Sequence, residues 1–524
     1  MRKTVTTRSV GAALLGMFMG VLLAAPVRAQ SEGDYRTRDS GNWSNAQIWE
    51  RFNGSAWVAV ATPPSGSEVI TVREADSVYV DVETTLTGHL VNQGIVDTDS
   101  LLTIGDGGVY EHARDEGKIP RVIWAEGSTL LMTGVVATAP ADRNQNYYHV
   151  TFNTPGLLSN LNMALDEATI GGDIRVLDTG LARWYLTTAS PNDTSTVTIM
   201  GNVYVENGAF SVHGTSNAGT TFIVHHYGNI EVTGGNFSIS RGSQGLGTTT
   251  WYLYEGDFFM ANATTQSSTI TPGGAKFVFA RQGRQTLTLE NVEFSALPIE
   301  VSSGTTLDMG LSKLGGSGDF TLKEGAGLAT ALPGGVAEIF TDVAGVVTLE
   351  DNASFEFNGT EAQVTSTAMP AVVQDLVIDN AAGVTLSQET TINGVLVLRA
   401  GVFDNTIPFT LGSGASISFE GGSLLIPVAS EVEGELPRVF FVDQNYPNPF
   451  STSTVIRYGL PVASEVTVRV YDLLGREVRT VHEGSKPAGV HEVVLEAREL
   501  GAGLYLYRVE SAGRSVSRQM VVIR

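Results

Sequence analysis

Two ten-residue stretches, GNVYVENGAF from Gly201 and GNIEVTGGNF from Gly228, are one pattern written twice, 27 residues apart. Gly, Asn, apolar-x-apolar, Gly and Phe all keep register, and Phe210-Ser211-Val212 matches Phe237-Ser238-Ile239. A looser copy follows at Gly256-Asp257-Phe258-Phe259-Met260, and variants recur as GDFTLKEGAGL from Gly318 and GVLVLRAGVF from Gly394. Alternation along each copy puts Val203 and Val205 on one face and Tyr204 on the other. A strand this short cannot bury its apolar face alone; stacked on a like neighbour it can. Gly and Asn tolerate the left-handed backbone of a tight corner. The expectation is an all-β fold: a parallel β-solenoid of the right-handed β-helix type over 150–428, with Val203 stacked on Ile230 and Phe210 on Phe237. No capped amphipathic helix is legible from Thr196 to Pro427. An antiparallel sandwich is the competing reading, but hairpins do not explain register kept over a whole repeat.

The first 29 residues have the layout of a secretory leader. Arg2, Lys3 and Arg8 precede an apolar run, Val10 to Ala25, and Val27-Arg28-Ala29 offers small residues to a signal peptidase. Cleavage is expected between Ala29 and Gln30, with an uncleaved anchor as the alternative; no later stretch is apolar enough to span a membrane. The chain has no cysteine, which excludes thiol nucleophiles, cysteine zinc sites and iron–sulfur clusters. Losing the leader's four basic residues (Arg2, Lys3, Arg8, Arg28) takes the formal charge from −23 to −27. Such a chain is a poor partner for nucleic acid, which calls for clustered Lys and Arg.

Residues 30–149 read as a less regular N-terminal β region. Its opening, SGNWSNAQIWERFNGSAWV, brings Trp43, Trp49 and Trp57 close together. It resembles the start of many exported bacterial β-helix proteins, where G-N-W-S precedes the first coils. A cap over the open end of the solenoid is the expected role of these tryptophans, against a sugar-binding platform.

Beyond the solenoid, 429–437 reads as an acidic linker, and the chain then turns strictly β. QNYPNPF (Gln444, Asn445, Tyr446, Pro447, Asn448, Pro449, Phe450) has two X-Pro steps, which predicts a stiff, polyproline-like edge segment with Tyr446 and Phe450 as pegs. TVIRYGLP, EVTVRVYDLLG, REVRTV, GVHEVVLEA, GLYLYRVE and SVSRQMVVIR follow as short alternating strands, with Val466, Val468 and Val470 on one face. In combination these motifs resemble the C-terminal sorting domain of the type IX (Por) secretion system, whose Ig-like module has a relative in flagellar hook-capping proteins. The resemblance covers 438–524. It departs from the family at Ser451-Thr452-Ser453, where members often carry Asn-Pro-Ser. It implies an Ig-like β-sandwich, a Bacteroidota-like bacterium, Sec export, passage through the type IX machinery, and release or surface attachment. It also casts QNYPNPF as the hinge that presents the domain.

Chemistry is harder to find. Glu206, Glu231 and Asp257 face outward, with Arg281 and Arg284 one repeat later, but their spacing is that of a solvated acidic surface. His225 and His226 point to opposite faces, which argues for a lone surface imidazole against a metal pair. No phosphate loop, zinc-protease, nucleophile-elbow or EF-hand motif occurs. No catalytic residue, cofactor or metal is therefore expected. Tyr252 and Tyr254, outward in WYLY, are candidate glycan contacts or an aromatic ladder, as are the outward members of the Trp184-Tyr185 pair. The expectation is a secreted or outer-membrane-surface structural rod, adhesin-like or in contact with extracellular polysaccharide or cell-surface glycan. A polysaccharide lyase or glycoside hydrolase on the same scaffold is the alternative.

Overall fold

The computed structural model describes residues 29–99, 101–214, 219–241, 247–266, 274–425, 437 and 439–523. The leader 1–28 and nearly all of the expected linker lie outside them. The chain divides into two compact units, Met1–Ile426 and Pro427–Arg524.

The first unit opens with an antiparallel element. Tyr35–Thr37 pairs with Trp49–Phe52, which pairs in turn with Trp57–Ala59. Tyr35–Thr37 also pairs with Val69–Val72, and that ladder is parallel, as is every later one among the described residues of this unit. Ile70, Leu90, Tyr110, Leu130 and Val150 stand in successive register. Parallel stacking therefore does not start at 150: the β region expected to be less regular repeats every 20 residues from Val69 to His149.

From Val150 the ladder continues through Ile174, Val203, Ile230, Phe258 and Leu287. Val203 pairs with Ile230 and Phe210 with Phe237, as the repeat predicts. Each turn here adds a strand to three separate parallel sheets; one turn supplies Val203–Val205, Ala209–His213 and Thr221–His226. Their inward residues, Val203, Val205, Phe210, Val212, Phe222 and Val224, are fully buried. Long parallel sheets of short strands are what a solenoid requires. Later turns shorten, with Leu376, Leu396 and Ile417 in succession. Helix is confined to Val336–Ile339 and two 3-10 turns among the described residues.

The Gly-Asn corners have a specific cause. The side-chain oxygen of Asp173 accepts from Asn202 N at 2.8 Å, Asn202 accepts from Asn229 N at 2.8 Å, Asn229 from Asp257 N at 2.9 Å, and Asp257 from Thr286 N at 2.9 Å. Backbone donors left open by the corner are thereby satisfied turn by turn. The glycines before them serve closeness rather than left-handed backbone: a Cβ on Gly228 would lie 2.1 Å from the Gly201 carbonyl oxygen. Positive φ occurs at the next corner, at Gly208 (94°) and Gly235 (67°).

The second unit has two antiparallel sheets. Phe441–Val442, Ser453–Leu460 and Gly489–Glu496 form one; Glu477–Lys486, Ser464–Tyr471, Gly503–Ser511 and Arg514–Val522 form the other. Val466, Val468 and Val470 face inward together, as their alternation predicts, and share a core with Ile456, Tyr458, Tyr507 and Met520.

Candidate functional site

QNYPNPF is built into the second unit. Tyr446 pairs antiparallel with Val455, and Phe450 pairs parallel with Val522, so the segment bridges Ser453–Leu460 and Arg514–Val522. Tyr446 and Val455 exchange both backbone hydrogen bonds, at 3.0 and 2.9 Å. Phe450 N donates to the Val521 carbonyl at 3.0 Å, and Ile523 N donates to the Phe450 carbonyl at 2.8 Å. Two asparagines lock what the prolines cannot donate. Asn445, 2 % exposed, donates from Nδ2 to Thr454 Oγ1 at 2.9 Å and to the Pro447 carbonyl at 3.3 Å; Asn448 Oδ1 accepts from Val521 N at 2.7 Å. Gln444 Nε2 reaches the Gln519 carbonyl at 2.6 Å.

Three expectations change here. Both X-Pro bonds, Tyr446-Pro447 and Asn448-Pro449, are cis, so the segment is not a polyproline helix. Phe450 is a buried peg at 2 % exposure, whereas Tyr446 is 62 % exposed and pegs nothing. The segment is also no hinge ahead of the domain, because its hydrogen bonds make it part of the domain's edge. Beside it, Tyr507 Oη donates to the Asp443 carbonyl at 2.7 Å, and burial raises the Asp443 carboxyl above its usual range.

The candidate glycan contacts lie on Thr248–Leu253 and just past it. Trp251 and Leu253 are fully buried, while Tyr252 and Tyr254 are half-buried on the opposite face, as alternation predicts. Both stack on His225, at 5.9 Å and 13° for Tyr252 and 5.7 Å and 20° for Tyr254. Tyr227 joins at 5.2 Å from Tyr254, and His225 Nδ1 lies 3.0 Å from Tyr254 Oη. Four near-parallel rings thus share one outer wall, and burial raises the Tyr254 phenol.

The histidine pair does point to opposite faces, and only His225 is near the surface. His226 is fully buried, bonded through Nε2 to the Gly201 carbonyl at 2.8 Å, and burial lowers its pKa to about 4. Trp43 and Trp49 are buried and pack edge to face at 5.2 Å, which leaves neither ring free to hold a sugar. Trp57 is half-buried under the Arg36 guanidinium at 4.2 Å. Trp184 is likewise core, stacked on Phe152 at 5.0 Å; its neighbour Tyr185 is half-buried.

The outward acids are drawn into ion pairs between turns. Glu206 pairs with Arg175 at 3.2 Å, and Asp257 with Arg281 at 2.9 Å. Arg284 spans to Asp308 at 2.6 Å and to Glu356 at 2.5 Å. Glu231 stays exposed. Among the described residues no three of His, Asp or Glu converge as a metal site, and no helix is long and apolar enough to cross a membrane. Ala29 and Gln30 are exposed at the start of the described chain.

No curated protein and no solved structure matches the chain. Residues 444–523 match the family model described as a secretion system C-terminal sorting domain, beginning at the first residue of QNYPNPF. That domain implies export through the type IX machinery, to the medium or the cell surface. The chain thus ends in a type IX C-terminal sorting domain.

Proposed function

We propose that this is a secreted or cell-surface structural protein, an adhesin-like or carbohydrate-contacting rod without enzymatic activity. On this reading Sec exports it, a signal peptidase cuts between Ala29 and Gln30, and the C-terminal domain then addresses it to the type IX machinery. The parallel sheets of the first unit close into a right-handed solenoid, and the second unit is an Ig-like sandwich joined by the acidic linker at 429–437. The single observation that carries the proposal is the sorting-domain match at 444–523. Support comes from the chemistry of the cargo: stacked parallel turns bury their own repeats, and the ring face of His225, Tyr227, Tyr252 and Tyr254 suits stacking against pyranose rings.

Deleting 438–524 tests the address. The truncated chain should fold and remain in the periplasm, and the same segment fused to an unrelated exported protein should carry it outside a type IX-competent host. Arrival of the truncated chain outside, or retention of the fusion in the periplasm, overturns the reading.

A further inference from the structure

Arg183, 7 % exposed, immediately precedes Trp184, which lies on the second parallel sheet, that of Ala209–His213. Its Nη1 donates to the Phe210 carbonyl at 3.3 Å, Ser211 Oγ at 2.9 Å and Ser238 Oγ at 3.1 Å. Its Nη2 donates to Asn236 Oδ1 at 2.8 Å and Gln266 Oε1 at 3.4 Å. Every acceptor is neutral. A buried cation ordinarily has a carboxylate beside it, yet the charged neighbour of this one is a second cation, Arg241. Burial, reinforced by Arg241, lowers the Arg183 guanidinium to about 10. The undescribed segments 215–218, 242–246 and 267–273 contain no Asp or Glu, so they supply no counter-ion either. In a chain of formal charge −23, two neighbouring arginines that form no ion pair with a described residue are a local exception.

A recess of about 410 Å³ opens beside them, within the roughly 300–1,000 Å³ of small-ligand clefts. Arg241 and Gln266 line it together with Glu293, Phe294 and Ser295. Because Gln266 turns Oε1 to Arg183, its Nε2 hydrogens are left to donate elsewhere. Arg241 is tied through its backbone N to the His213 carbonyl at 3.0 Å, while its side chain is in no ion pair with a described residue. Cationic and amide donors thus meet an exposed carboxylate acceptor, a hydroxyl and an aromatic ring. Glu293 repels a polyphosphate but accepts hydroxyls, so the matching ligand is polyhydroxylated and carries one acid group per ring.

We propose that this recess binds an anionic sugar unit of a polysaccharide. Its carboxylate or sulfate lies against Arg241 and Gln266, its hydroxyls face Glu293 and Ser295, and its apolar face meets Phe294. Arg183 touches no ligand; it is a positioning residue that orients Gln266 and adds positive potential from below. The recess belongs to the second sheet, that of Ala209–His213, and the tyrosine face to the third, that of Thr221–His226, so neither depends on the other.

Calorimetric titration of the mature full chain tests this with four probes: an oligogalacturonate, its neutral methyl ester, a sulfated galactan oligosaccharide and its unsulfated counterpart. At least one acidic probe should bind and its neutral twin should not; which acid binds identifies carboxylate or sulfate as the group recognised. Arg241→Gln and Gln266→Leu should each weaken binding about tenfold or more, and raising the salt should weaken it in the wild type. Tyr252→Ala should leave it unchanged, and thermal melts confirm that each variant is folded. Failure of both acidic probes, equal binding of an acid and its neutral twin, or wild-type affinity in folded Arg241→Gln overturns the proposal.

Discussion

Acidification should destabilise the first unit well above the pH at which its carboxylates titrate. Two imidazoles cause this, His112 and His226, both fully buried. Each bonds a backbone carbonyl through Nε2 at 2.8 Å, Glu116 for His112 and Gly201 for His226, which makes Nε2 the donor. Each Nδ1 is buried without a hydrogen-bond partner, so protonation there creates an unpaired N–H and a buried charge. Burial lowers both pKa values to about 4; at His112 the Glu116 carbonyl and Asp115 oppose the shift while Arg114 adds to it. The unfolded chain takes up these protons near pH 6.5, whereas the folded chain takes them up only near 4. Between those values the unfolded state binds more protons, so stability falls as pH falls, and the loss stops growing below about 4. At pH 5 each site costs roughly 2 kcal/mol, or about 4 kcal/mol for the pair, relative to pH 7. The comparison is wild type against His112→Gln/His226→Gln, whose amides still donate to the carbonyls but do not titrate. Chemical denaturation at pH 7 and pH 5 should show the wild type losing more stability than the variant by about that amount. Parallel losses in both proteins would refute the assignment.

Further predictions rest on single side chains. Val203→Asp places an unpaired charge among fully buried neighbours and should lower the stability of the parallel unit by several kcal/mol, read as a lower thermal midpoint. Gly228→Ala drives a Cβ into the Gly201 backbone and should cost about 1–3 kcal/mol or more, despite the usual gain from replacing glycine. Phe450→Ala empties a buried site of the sorting unit and should cost about 3–5 kcal/mol there, while Tyr446→Ala should stay within about 0.5 kcal/mol; if thermal melts show similar losses for the two, the burial difference is wrong.

The middle of the first unit was legible because its corners are chemically demanding. A glycine that must approach another backbone, followed by an Asn or Asp that must accept from the next turn, leaves identical letters at fixed spacing. The 20-residue period before Val150 left none. Its outward positions, His89, Val109, Thr129 and His149, share no chemistry. Its inward positions include Asn92 and His112, which break the apolar alternation; Asn92 is tied inside through Nδ2, which donates to Tyr110 Oη at 2.7 Å. The strands of the sorting unit were readable from alternation alone. The seating of QNYPNPF was not, since X-Pro letters do not encode the isomer and Asn445 and Asn448 find their partners through folding. The tyrosine face was visible in WYLY, but the arginine recess was not: Arg183 and Arg241 are 58 positions apart and ordinary in local context.

The asparagine ladder has a polarity with consequences for how the parallel sheets of the first unit can grow. Each rung takes a proton donor from the following turn and passes its own backbone N–H to the preceding one. A rung is therefore interchangeable with its neighbours, and a duplicated turn bearing Gly-Asn at its corner would find both an acceptor beneath it and a donor above. Growth by whole turns needs no redesign of either terminus, and each copy adds about 4.8 Å. GNVYVENGAF and GNIEVTGGNF are similar enough to be such a duplication, which would make the number of strands in each parallel sheet a quantity that gene copying can tune.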